Sequence, residues 1–589
     1  MTSRDIPGDP APPNALTKIS PRLACAILLA IHALLLIWTS AENSATFDEP
    51  MHLAAGAAYW KWGDFTIYCL SPPLLRLWAA APAVLAGANV PDPTPTHQYG
   101  MARHMVYVDD FVYANLPRFE SLLFLCRLWM IPISCVTALL IYRWARELYN
   151  SAAALAACAL YCFNPSILAH GALVTTDLGT TTAMLWAAWL WWRFCRNPSF
   201  VRWLWVCVAV LLAHLCKFTA ILMWPMMLAM AVPYAMRGGK RWRTYLLAWA
   251  AAIPMCVLLA NAVYGFSDSF MPLGSFDFLS QLMEHVQHSM PAGFRVPLPA
   301  VIIEGFDAQK YDTGRGYPAF LFGQIYEGAR WYYYPLALLC KTPVGLLLLM
   351  LAACVTLLIP RPNLAPDDFA APWSMALAGI VYLAGVLIIG DVNIGTRYIL
   401  PVLPFALILT SRLWAILPNA PALYTRARDG LLLMAVIEPL FVAPWFISYM
   451  NFPSGGPSQG WRLLSNSDFD WGNGLIALRG WLNDHGNPPI SFFYFGYIDP
   501  AAYGIKYVPL SVHPTEEPYF VVSTFYLQGL DNRVVIAKGS RRIVQLPFYA
   551  QLAERQPVAV LADTLYIYDR RTVQEALYEF LAARRQSRQ

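Results

Sequence analysis

The stretch "LACAILLAIHALLLIWTSAENSATFDEPMH", residues 23 to 52, joins an apolar run to two adjacent acids and a histidine. A helix needs about 20 apolar residues to cross the hydrocarbon core of a bilayer, and this run has that length. Asp48, Glu49 and His52 therefore stand where a membrane span meets water. Of the 589 residues, 58% are hydrophobic and 13% are charged, and the mean hydropathy is +0.45. This composition predicts a polytopic α-helical membrane protein.

About eleven segments are long and apolar enough to predict transmembrane helices. They are residues 22–41, 121–142, 151–169, 175–193, 203–216, 218–236, 244–264, 334–359, 372–390, 397–416 and 429–449. We therefore divide the chain into an N-terminal segment (1–21), a transmembrane domain (22–449) with long loops at 42–120 and 265–333, and a C-terminal domain (450–589).

The C-terminal domain has the pattern of a soluble α/β fold. Short aromatic and β-branched runs alternate with turns rich in Pro, Gly and Asp, which favours strands at 490–496, 519–525, 533–537 and 564–569. Helices are expected at 475–483 and 573–585. The acidic stretch "SNSDFDWGNG" (465–474) lacks the spacing of a calcium loop and predicts an Asx turn that caps the helix after it.

Arginine and lysine are distributed in a way that predicts the orientation of the chain, because positively charged loops stay on the cytoplasmic side. With the N-terminus inside, every predicted inner loop is basic. These residues are Lys18, Arg22, Arg143, Arg146, Arg193, Arg196, Arg202, Arg237, Lys240, Arg241, Arg243, Arg361, Arg412, Arg426 and Arg428. We expect a multi-pass protein of the inner (cytoplasmic) membrane, with loops 42–120 and 265–333 and the C-terminal domain in the periplasm. We expect the first span to serve as an uncleaved signal anchor.

The net charge of +5 is modest, and the basic residues flank spans instead of forming a basic and aromatic groove, so nucleic acid is not an expected partner. The 12 cysteines form no CxxC pair and lie mostly within predicted spans as small apolar residues. We expect no cofactor and no metal, because no metal-ligand spacing is present. A divalent cation shared between Asp48, Glu49 and a substrate phosphate stays an open alternative.

Ionisable residues beside the outer ends of the spans carry the functional prediction, because such groups are costly in a membrane. They are Asp48, Glu49, Asp177, Lys217, Lys341 and Arg397, at one predicted depth. Carboxylates can take a proton from a hydroxyl acceptor, and cations can stabilise an anionic leaving group. Transfer of a group from a lipid-linked phosphate needs both.

Five motifs, in order along the chain, resemble the polyprenyl-phosphate-dependent glycosyltransferases of the GT-C fold, among them the protein O-mannosyltransferases and the aminoarabinose transferases of lipid A. They are "TFDEPMHLAAGAAYWKWGDF", "SPPLLRLWAAAP", "NPSILAHGALVTTDLGT", "YYYPLALLCKTP" and "NIGTRYILPVLPF". A bacterial block of that group resembles "NFPSGGPSQGWRLLSNSDFDWGNGL". The resemblance implies an inverting hexosyl or pentosyl transferase that moves a sugar from a polyprenyl-phosphate carrier to a lipid, glycan or protein acceptor.

By the same resemblance, each candidate residue receives an expected role. Asp48, Glu49 and Asp177 are the expected catalytic acids, and His52 is an expected contact of the sugar or acceptor. The expected ligands of the carrier phosphate are Arg76, Lys217, Lys341, Arg397 and Tyr398. The family's histidine before two prolines is replaced here by Ser71, which cannot supply an imidazole.

Each of these residues also has a structural alternative. Asp48 and Glu49 suit the start of an interfacial helix, and Asp177 suits a helix cap. His52 suits an interfacial histidine that is simply hydrogen bonded. Lys217 and Lys341 suit side chains that extend to the membrane surface, and Arg397 with Tyr398 suits an interfacial anchor.

Loop 265–333 is too long for a passive connection, so we expect it to fold over the cavity and to help select the acceptor. Its candidate contacts are Glu304, Asp307, Asp312 and Arg315. Two other functions stay open: a transporter or flippase of lipid-linked sugar, with charges near the membrane midplane, and a non-catalytic envelope assembly protein.

Overall fold

Apolar helices form most of the first 450 residues of the computed structural model. The structure describes residues 19–96, 98, 103–237, 241–359, 366–416, 421–509, 516–530, 533–537, 540–543 and 548–586. Lys18, Lys240 and Arg361, which contributed to the predicted orientation, lie outside these residues.

The helices and strands follow one another in two blocks. The helices of the transmembrane domain and its loops are α1 (Pro21–Glu42), α2 (Glu49–Trp62), α3 (Leu74–Leu85), α4 (Arg103–Ala114), α5 (Phe119–Leu148), α6 (Ser151–Cys162), α7 (Pro165–His170), α8 (Asp177–Arg196), α9 (Phe200–Cys216), α10 (Met223–Arg237), α11 (Arg241–Val263), α12 (Gln281–Ser289), α13 (Ala300–Gly314), α14 (Tyr333–Lys341), α15 (Val344–Leu358), α16 (Pro366–Ile389), α17 (Val402–Ser411) and α18 (Ala422–Ile437), with strands β1 (Pro318–Leu321) and β2 (Gln324–Glu327). The C-terminal block contains α19 (Gly456–Gly460), α20 (Leu475–Asp484), β3 (Ile490–Phe493), β4 (Val508–Pro509), β5 (Tyr519–Ser523), α21 (Thr524–Leu527), β6 (Arg533–Ala537), β7 (Ser540–Ile543), α22 (Tyr549–Leu552), β8 (Ala559–Leu561), β9 (Leu565–Asp569) and α23 (Arg570–Gln586).

Helices lie over all eleven predicted spans, but several are shorter than predicted. Among the described residues, five helices are long and apolar enough to cross a membrane: Pro21–Glu42, Leu116–Leu148, Phe218–Met236, Arg241–Val263 and Phe369–Ile389. The pair α14 and α15 passes the same test together, with a bend of 119° between them. Shorter apolar helices lie at Leu74–Leu85, Ser151–Cys162, Phe200–Cys216 and Val402–Trp414. The prediction of a polytopic helical protein is confirmed.

Prolines explain where the predicted spans break. Pro165 begins α7 three residues after α6 ends, and Pro343 stands at the bend between α14 and α15. The predicted span 429–449 stops being α-helical at Ile437, two residues before Pro439. A proline supplies no backbone N–H and disfavours helical geometry in the residue before it.

The C-terminal block folds around a five-stranded sheet with the strand order β4-β3-β5-β9-β8. Strand β3 pairs in parallel with β4 and β5, and β9 pairs antiparallel with β5 and β8. The four strands and two helices predicted from the sequence are present, so the expected α/β domain is confirmed. Strands β6 and β7 form a separate hairpin.

The C-terminal domain is joined by hydrogen bonds to the segment that follows α1. The N–H groups of Ser44 and Phe47 donate to the carbonyls of Asn473 and Trp471, both at 3.0 Å. The hydroxyl of Tyr503 accepts a 2.7 Å hydrogen bond from the N–H of Ala45. Residues 44–47 are therefore positioned by a part of the chain more than 400 residues away.

Loop 265–333 has its own small core and packs over the ends of several helices. The core consists of Leu273, Phe276, Phe278, Val296 and Ala300. Thr313 of α13 donates a 3.1 Å hydrogen bond to Asp391, which also pairs with Lys310. Near the other end of the loop, the N–H of Phe322 donates to the carbonyl of Leu463 at 2.9 Å. The loop thus connects the membrane helices with the C-terminal domain.

A close approach of α2 to α3 depends on Gly56, and this gives a test of the packing. A Cβ atom at Gly56 would lie 2.3 Å from the carbonyl oxygen of Arg76 and 2.7 Å from Cβ of Ala80. We expect Gly56→Ala to force the helices apart and to destabilise the protein by about 1–3 kcal/mol.

The matched control is Gly480→Ala, because Gly480 is in α20 and a Cβ there meets no atom within 4 Å. Thermal unfolding in detergent should show a lower midpoint for Gly56→Ala and an unchanged or slightly higher one for Gly480→Ala. Equal midpoints for the two variants would contradict the described contact.

Candidate active site

Four charged side chains from distant parts of the sequence meet in one cluster. Arg397 donates a hydrogen bond from Nη1 to Oδ2 of Asp48. The same nitrogen lies 3.9 Å from Oδ2 of Asp177, whose Oδ1 accepts a 2.6 Å hydrogen bond from Nζ of Lys217. Asp177, Lys217 and Arg397 are buried, whereas the side chain of Asp48 is 21% exposed. The cluster is neutral overall, and the carboxylate of Asp48 is its most accessible member.

Helix ends place these groups at one level of the molecule. Asp48 immediately precedes α2, Asp177 is the first residue of α8, and Lys217 immediately follows α9. Arg397 lies in a 3-10 turn shortly before α17. Asp48 makes no capping hydrogen bond to its helix, so the helix-cap alternative does not account for its side chain. Helix N-termini do favour the negative charges of Asp48 and Asp177.

Two aromatic rings cover the cations of the cluster. The guanidinium carbon of Arg397 lies 4.4 Å from the ring centroid of Trp471, and Nζ of Lys217 lies 4.5 Å from that of Tyr398. Nε of Arg397 is buried and has no hydrogen-bond partner among the described residues. Since the rings keep water away, the charges interact more strongly with each other and with a bound anion.

Two buried histidines lie near the charged cluster. His170, the last residue of α7, has its ring centroid 5.7 Å from Trp471, and His52 lies 5.2 Å from Tyr68, both edge to face. Nδ1 of each has no hydrogen-bond partner within the part of the chain that the structure describes. Burial, together with the charge of Arg76, holds the pKa of His52 well below its usual value. The unpaired Nδ1 of His52 argues against the alternative of an interfacial histidine that is simply hydrogen bonded.

His170 and Trp471 were missed by the sequence analysis. Both occur in quoted motifs, but a histidine and a tryptophan in apolar surroundings are common in helical membrane proteins. The available signal for His170 was its position seven residues before Asp177. The signal for Trp471 was its position beside the acids of "SNSDFDW".

Glu49 is placed differently from Asp48, and its environment favours a structural role over the catalytic role expected from the sequence. Its carboxylate is fully buried and accepts hydrogen bonds from Arg127 at 2.8 and 2.5 Å, from the N–H and Oγ1 of Thr46, and from the N–H of Val174. Arg127 also donates to three carbonyl oxygens, those of Ser40, Asn43 and Ser44. Glu49 thereby ties the turn that carries Asp48 to the segment that precedes Asp177.

The donor groups of Arg76 and Lys341 are used by partners outside the cluster, which argues against their expected binding of phosphate. Nη1 of Arg76 donates to Oγ of Ser71 at 2.9 Å, and Nη2 donates to the carbonyl of Tyr68 at 3.0 Å. Nζ of Lys341 donates to the carbonyls of Ile447 and Asp468 at 2.7 and 2.6 Å. Arg76 therefore closes the turn at 68–72, and Lys341 attaches the bend between α14 and α15 to the C-terminal domain. Lys217 and Lys341 are both buried, so neither side chain extends to the membrane surface as the structural alternative supposed.

The candidates in loop 265–333 differ from one another. Asp307 is buried and accepts three hydrogen bonds of 2.6–2.9 Å from Leu279 and Ser280, so it holds the start of α12 instead of contacting an acceptor. Glu304 and Arg315 are exposed on and just after α13. Partial burial, with Asp268 nearby, raises the pKa of Glu304. Phe306 of this helix packs edge to face against Phe218, the residue after Lys217.

The segment 465–470 orients Arg397. Oδ1 of Asp468 accepts hydrogen bonds from the N–H and Oγ1 of Thr396 at 2.8 and 2.6 Å, and Oδ2 accepts one from Tyr333 at 2.8 Å. Gly395 has φ of 137°, and a Cβ there would lie 1.9 Å from Oγ of Ser467. This contact requires glycine just before the turn that carries Arg397.

The acidic stretch 465–474 is confirmed as an Asx turn, because Oδ1 of Asp470 accepts from the N–H of Gly472 at 3.2 Å. The predicted cap of the next helix is wrong, since the residue before α20 is Gly474 and the first N–H of this helix, that of Leu475, donates to Oγ of Ser44 at 3.0 Å. Within the described ranges, no group of three or more His, Cys, Asp and Glu side chains is arranged to hold a metal ion.

A family model described as dolichyl-phosphate-mannose-protein mannosyltransferase matches residues 119–264. The resemblance inferred from the sequence motifs is confirmed. The matched range runs from α5 to α11 and includes His170, Asp177 and Lys217. A search of curated protein sequences finds no match to the chain.

Three solved structures are similar to the chain at low sequence identity. The archaeal oligosaccharyltransferase AglB from Archaeoglobus fulgidus, in complex with an inhibitory peptide and a dolichol-phosphate, is 10% identical, with 92% of this chain and 76% of that chain covered and a TM-score of 0.41. ArnT from Cupriavidus metallidurans bound to undecaprenyl phosphate is 11% identical, with 88% of this chain and 97% of that chain covered and a TM-score of 0.29. The apo oligosaccharyltransferase of Archaeoglobus fulgidus is 13% identical, with 70% of this chain and 55% of that chain covered and a TM-score of 0.39. This chain therefore spans about half of the length of that protein.

The buried pair of Glu49 and Arg127 predicts a large loss of stability when one partner is removed. We expect Arg127→Met to leave the carboxylate of Glu49 buried without its counter-charge and to destabilise the protein by about 3–5 kcal/mol. The measurement is the midpoint of thermal unfolding in detergent.

The matched control is Arg479→Met, which removes a 2.7 Å pair with Glu120 in which both side chains are more than a third exposed. Because water screens this pair, its loss should cost less than about 1 kcal/mol. A similar shift for both variants would show that Glu49 and Arg127 are not a buried structural pair.

Proposed function

We propose that the protein is an inverting glycosyltransferase that moves a sugar from a polyprenyl-phosphate carrier to an acceptor hydroxyl or similar group. The observation that carries this proposal is the cluster in which Arg397 pairs with Asp48 and Lys217 pairs with Asp177. The match to a dolichyl-phosphate-mannose-protein mannosyltransferase model, which includes Asp177 and Lys217, supports it.

Asp48 is the proposed general base. Its carboxylate takes the proton of the acceptor hydroxyl while the acceptor oxygen forms a bond to the anomeric carbon of the sugar. The bond from that carbon to the carrier phosphate breaks at the opposite face, and the electron pair leaves with the phosphate. A general base contributes about 10²–10⁴-fold to the rate of such a step. Asp48 suits this role because it is the accessible carboxylate of the cluster.

Lys217 and Arg397 are the proposed ligands of the carrier phosphate, with Tyr398 beside them. A preorganised cation near the leaving group contributes about 10²–10³-fold to the rate. The rings of Trp471 and Tyr398 limit the access of water and so strengthen this effect. Asp177 holds Lys217 in place through the 2.6 Å hydrogen bond.

The Asp48–Arg397 pair also suggests an order of binding. While Arg397 donates its hydrogen bond to Oδ2 of Asp48, that oxygen is occupied and is not free to accept the proton of an acceptor hydroxyl. A carrier phosphate that draws Arg397 toward itself releases Asp48 for the acceptor. The donor therefore binds first, and the base becomes active only when a donor is present.

His52 and His170 are proposed to contact the sugar or the acceptor. Both are buried beside the cluster with an unpaired Nδ1, and an unpaired buried polar atom is costly unless a ligand satisfies it. Glu304 and Arg315 are proposed as outer contacts of the acceptor, since α13 packs beside Lys217 and both side chains are exposed.

The protein is a multi-pass membrane protein, and its orientation is part of the proposal. The distribution of arginine and lysine supports an inner-membrane location with the N-terminus in the cytoplasm and the C-terminal domain in the periplasm. The charged cluster then faces the periplasm, where a water-exposed acceptor can reach it. Because the four charges stand at helix ends and not in the middle of spans, the transferase is favoured over a transporter.

The proposal predicts that Asp48→Asn loses transfer but keeps the donor site. Purified protein is incubated with a panel of polyprenyl-phosphate sugars and an envelope extract, and release of carrier phosphate is measured. Wild type should release it with one donor, and Asp48→Asn should be slower by about 10²-fold or more. Donor affinity should increase in Asp48→Asn, because Arg397 no longer has to leave a carboxylate.

Two controls accompany this experiment. Asp484→Asn changes an exposed acid at the end of α20 and should keep full activity. Lys217→Met should weaken donor binding, unlike Asp48→Asn. Retained turnover in a monodisperse Asp48→Asn protein would contradict the assignment of the base.

A further inference from the structure

The segment that follows α11, residues 264–294, exposes large apolar side chains to an unusual degree. Phe266 is 50% exposed and Phe270 is 46% exposed, comparable to Leu258 on the outside of α11 at 52%. Leu279, Leu282, Met290 and Phe294 of the same segment are also exposed. Beyond residue 452, the exposed large apolar side chains in the described part of the chain are limited to Val508, Val558, Val560, Tyr578 and Leu581.

The backbone holds the two exposed phenylalanines in a costly conformation. Phe266 and Phe270 have φ of 55° and 62°, and Asp268 between them has φ of 48°. Glycine, asparagine and aspartate adopt this left-handed conformation more readily than a bulky residue does. A phenylalanine at such a position is favourable only if its side chain gains a contact, and about half of the surface of each residue is exposed.

Hydrogen bonds fix this segment to the end of a membrane helix. The N–H of Phe266 donates to the carbonyl of Asn261 at 2.8 Å, and the N–H of Phe270 donates to the carbonyl of Val296 at 3.0 Å. Asn261, near the end of α11, also donates from Nδ2 to the carbonyl of Pro297 at 3.0 Å. The exposed rings are therefore held within a few residues of the point where α11, a candidate membrane span, ends.

The inner side of the segment is already occupied. Leu298 and Ile302 pack on Leu211, Leu215 and Ala260 at the ends of α9 and α11. The core formed by Leu273, Phe276, Phe278, Val296 and Ala300 fills the space behind the exposed side chains. The exposed side chains of the segment come directly after those of α11, whose Leu258 and Val263 are 52% and 59% exposed.

The surface carries exposed charges of both signs: Asp268, Asp277 and Glu284 lie in the segment, and one arginine, Arg295, follows directly after it. Arg295 is exposed, and its Nη1 donates to the carbonyl of Phe270 at 3.2 Å. Aromatic side chains concentrate at the level of lipid headgroups, and an arginine guanidinium binds phosphate well. This combination of aromatic rings and a nearby cation matches the interface of a phospholipid bilayer.

We propose that residues 264–294 rest on the membrane, with Phe266 and Phe270 inserted among the lipids and Arg295 at the level of the lipid phosphates. This surface is separate from the charged cluster and does not depend on the proposed transfer reaction. The strained phenylalanines are stabilised by lipid contacts instead of contacts within the protein. The segment then fixes the height of the adjoining α13 above the membrane surface.

Photo-crosslinking in lipid nanodiscs tests this placement. The full chain carries benzoylphenylalanine in place of Phe266 or Phe270, in nanodiscs of phosphatidylethanolamine and phosphatidylglycerol, and lipid adducts are quantified by mass spectrometry after irradiation. Leu258 on α11 is the membrane-facing control, and Tyr578 on α23 is the exposed control in the C-terminal domain. Yields at Phe266 and Phe270 should be within about threefold of Leu258 and about tenfold above Tyr578.

Two results would overturn the proposal. Yields at Phe266 and Phe270 similar to that at Tyr578 would show that the rings face water. Cross-linked dimers in place of lipid adducts would assign the surface to a second copy of this chain. Neither result depends on enzymatic activity, so a failure here is distinguishable from a failure of the proposed function.

Discussion

The pairing of buried charges is the constraint on which the structure of the site depends. Two acids and two bases at the ends of apolar helices would each be very costly to bury alone. They become tolerable because Arg397 pairs with Asp48 and Lys217 pairs with Asp177. The arrangement is neutral when empty, yet each pair contains a cation that a phosphate can attract. A stable resting state and a phosphate-binding site therefore come from the same four side chains.

Two further carboxylates hold the cluster together without being part of it. Glu49 joins α5 to the turn before α2 and to the segment before α8. Asp468 joins the C-terminal domain to the turn that carries Arg397. The segments that these carboxylates join are distant in sequence. A substitution of Glu49 or Asp468 is therefore expected to shift the charged side chains of the site. The C-terminal domain thus forms one side of the site, where the ring of Trp471 packs against the guanidinium of Arg397.

Much of this organisation could be predicted from residue types and their order. Charged residues beside apolar runs pointed to Asp48, Asp177, Lys217 and Arg397, and the structure brings all four together. The direction of a side chain could not be predicted in the same way. Asp48 and Glu49 are adjacent, but consecutive residues at a helix start point about 100° apart, so one meets Arg397 and the other meets Arg127.

Three other candidates show that the partners of a side chain could not be predicted from the sequence: Arg76, Lys341 and Asp307. Each is used by backbone groups of a local turn or of a distant segment, and no pattern in the sequence shows which carbonyl or N–H will be left unpaired. His170 was missed for a different reason: its position seven residues before Asp177 was the available signal, but a single histidine in an apolar helix is common and does not by itself indicate a site. Only the folded chain shows that its ring lies against Trp471 beside the charges.

The most direct test of the central claim is a structure of the protein with polyprenyl phosphate bound in nanodiscs. We expect the phosphate to lie between Lys217 and Arg397, with Nη atoms of Arg397 about 3 Å from its oxygens and the pair with Asp48 broken. A phosphate bound elsewhere, with Arg397 still on Asp48, would contradict the account.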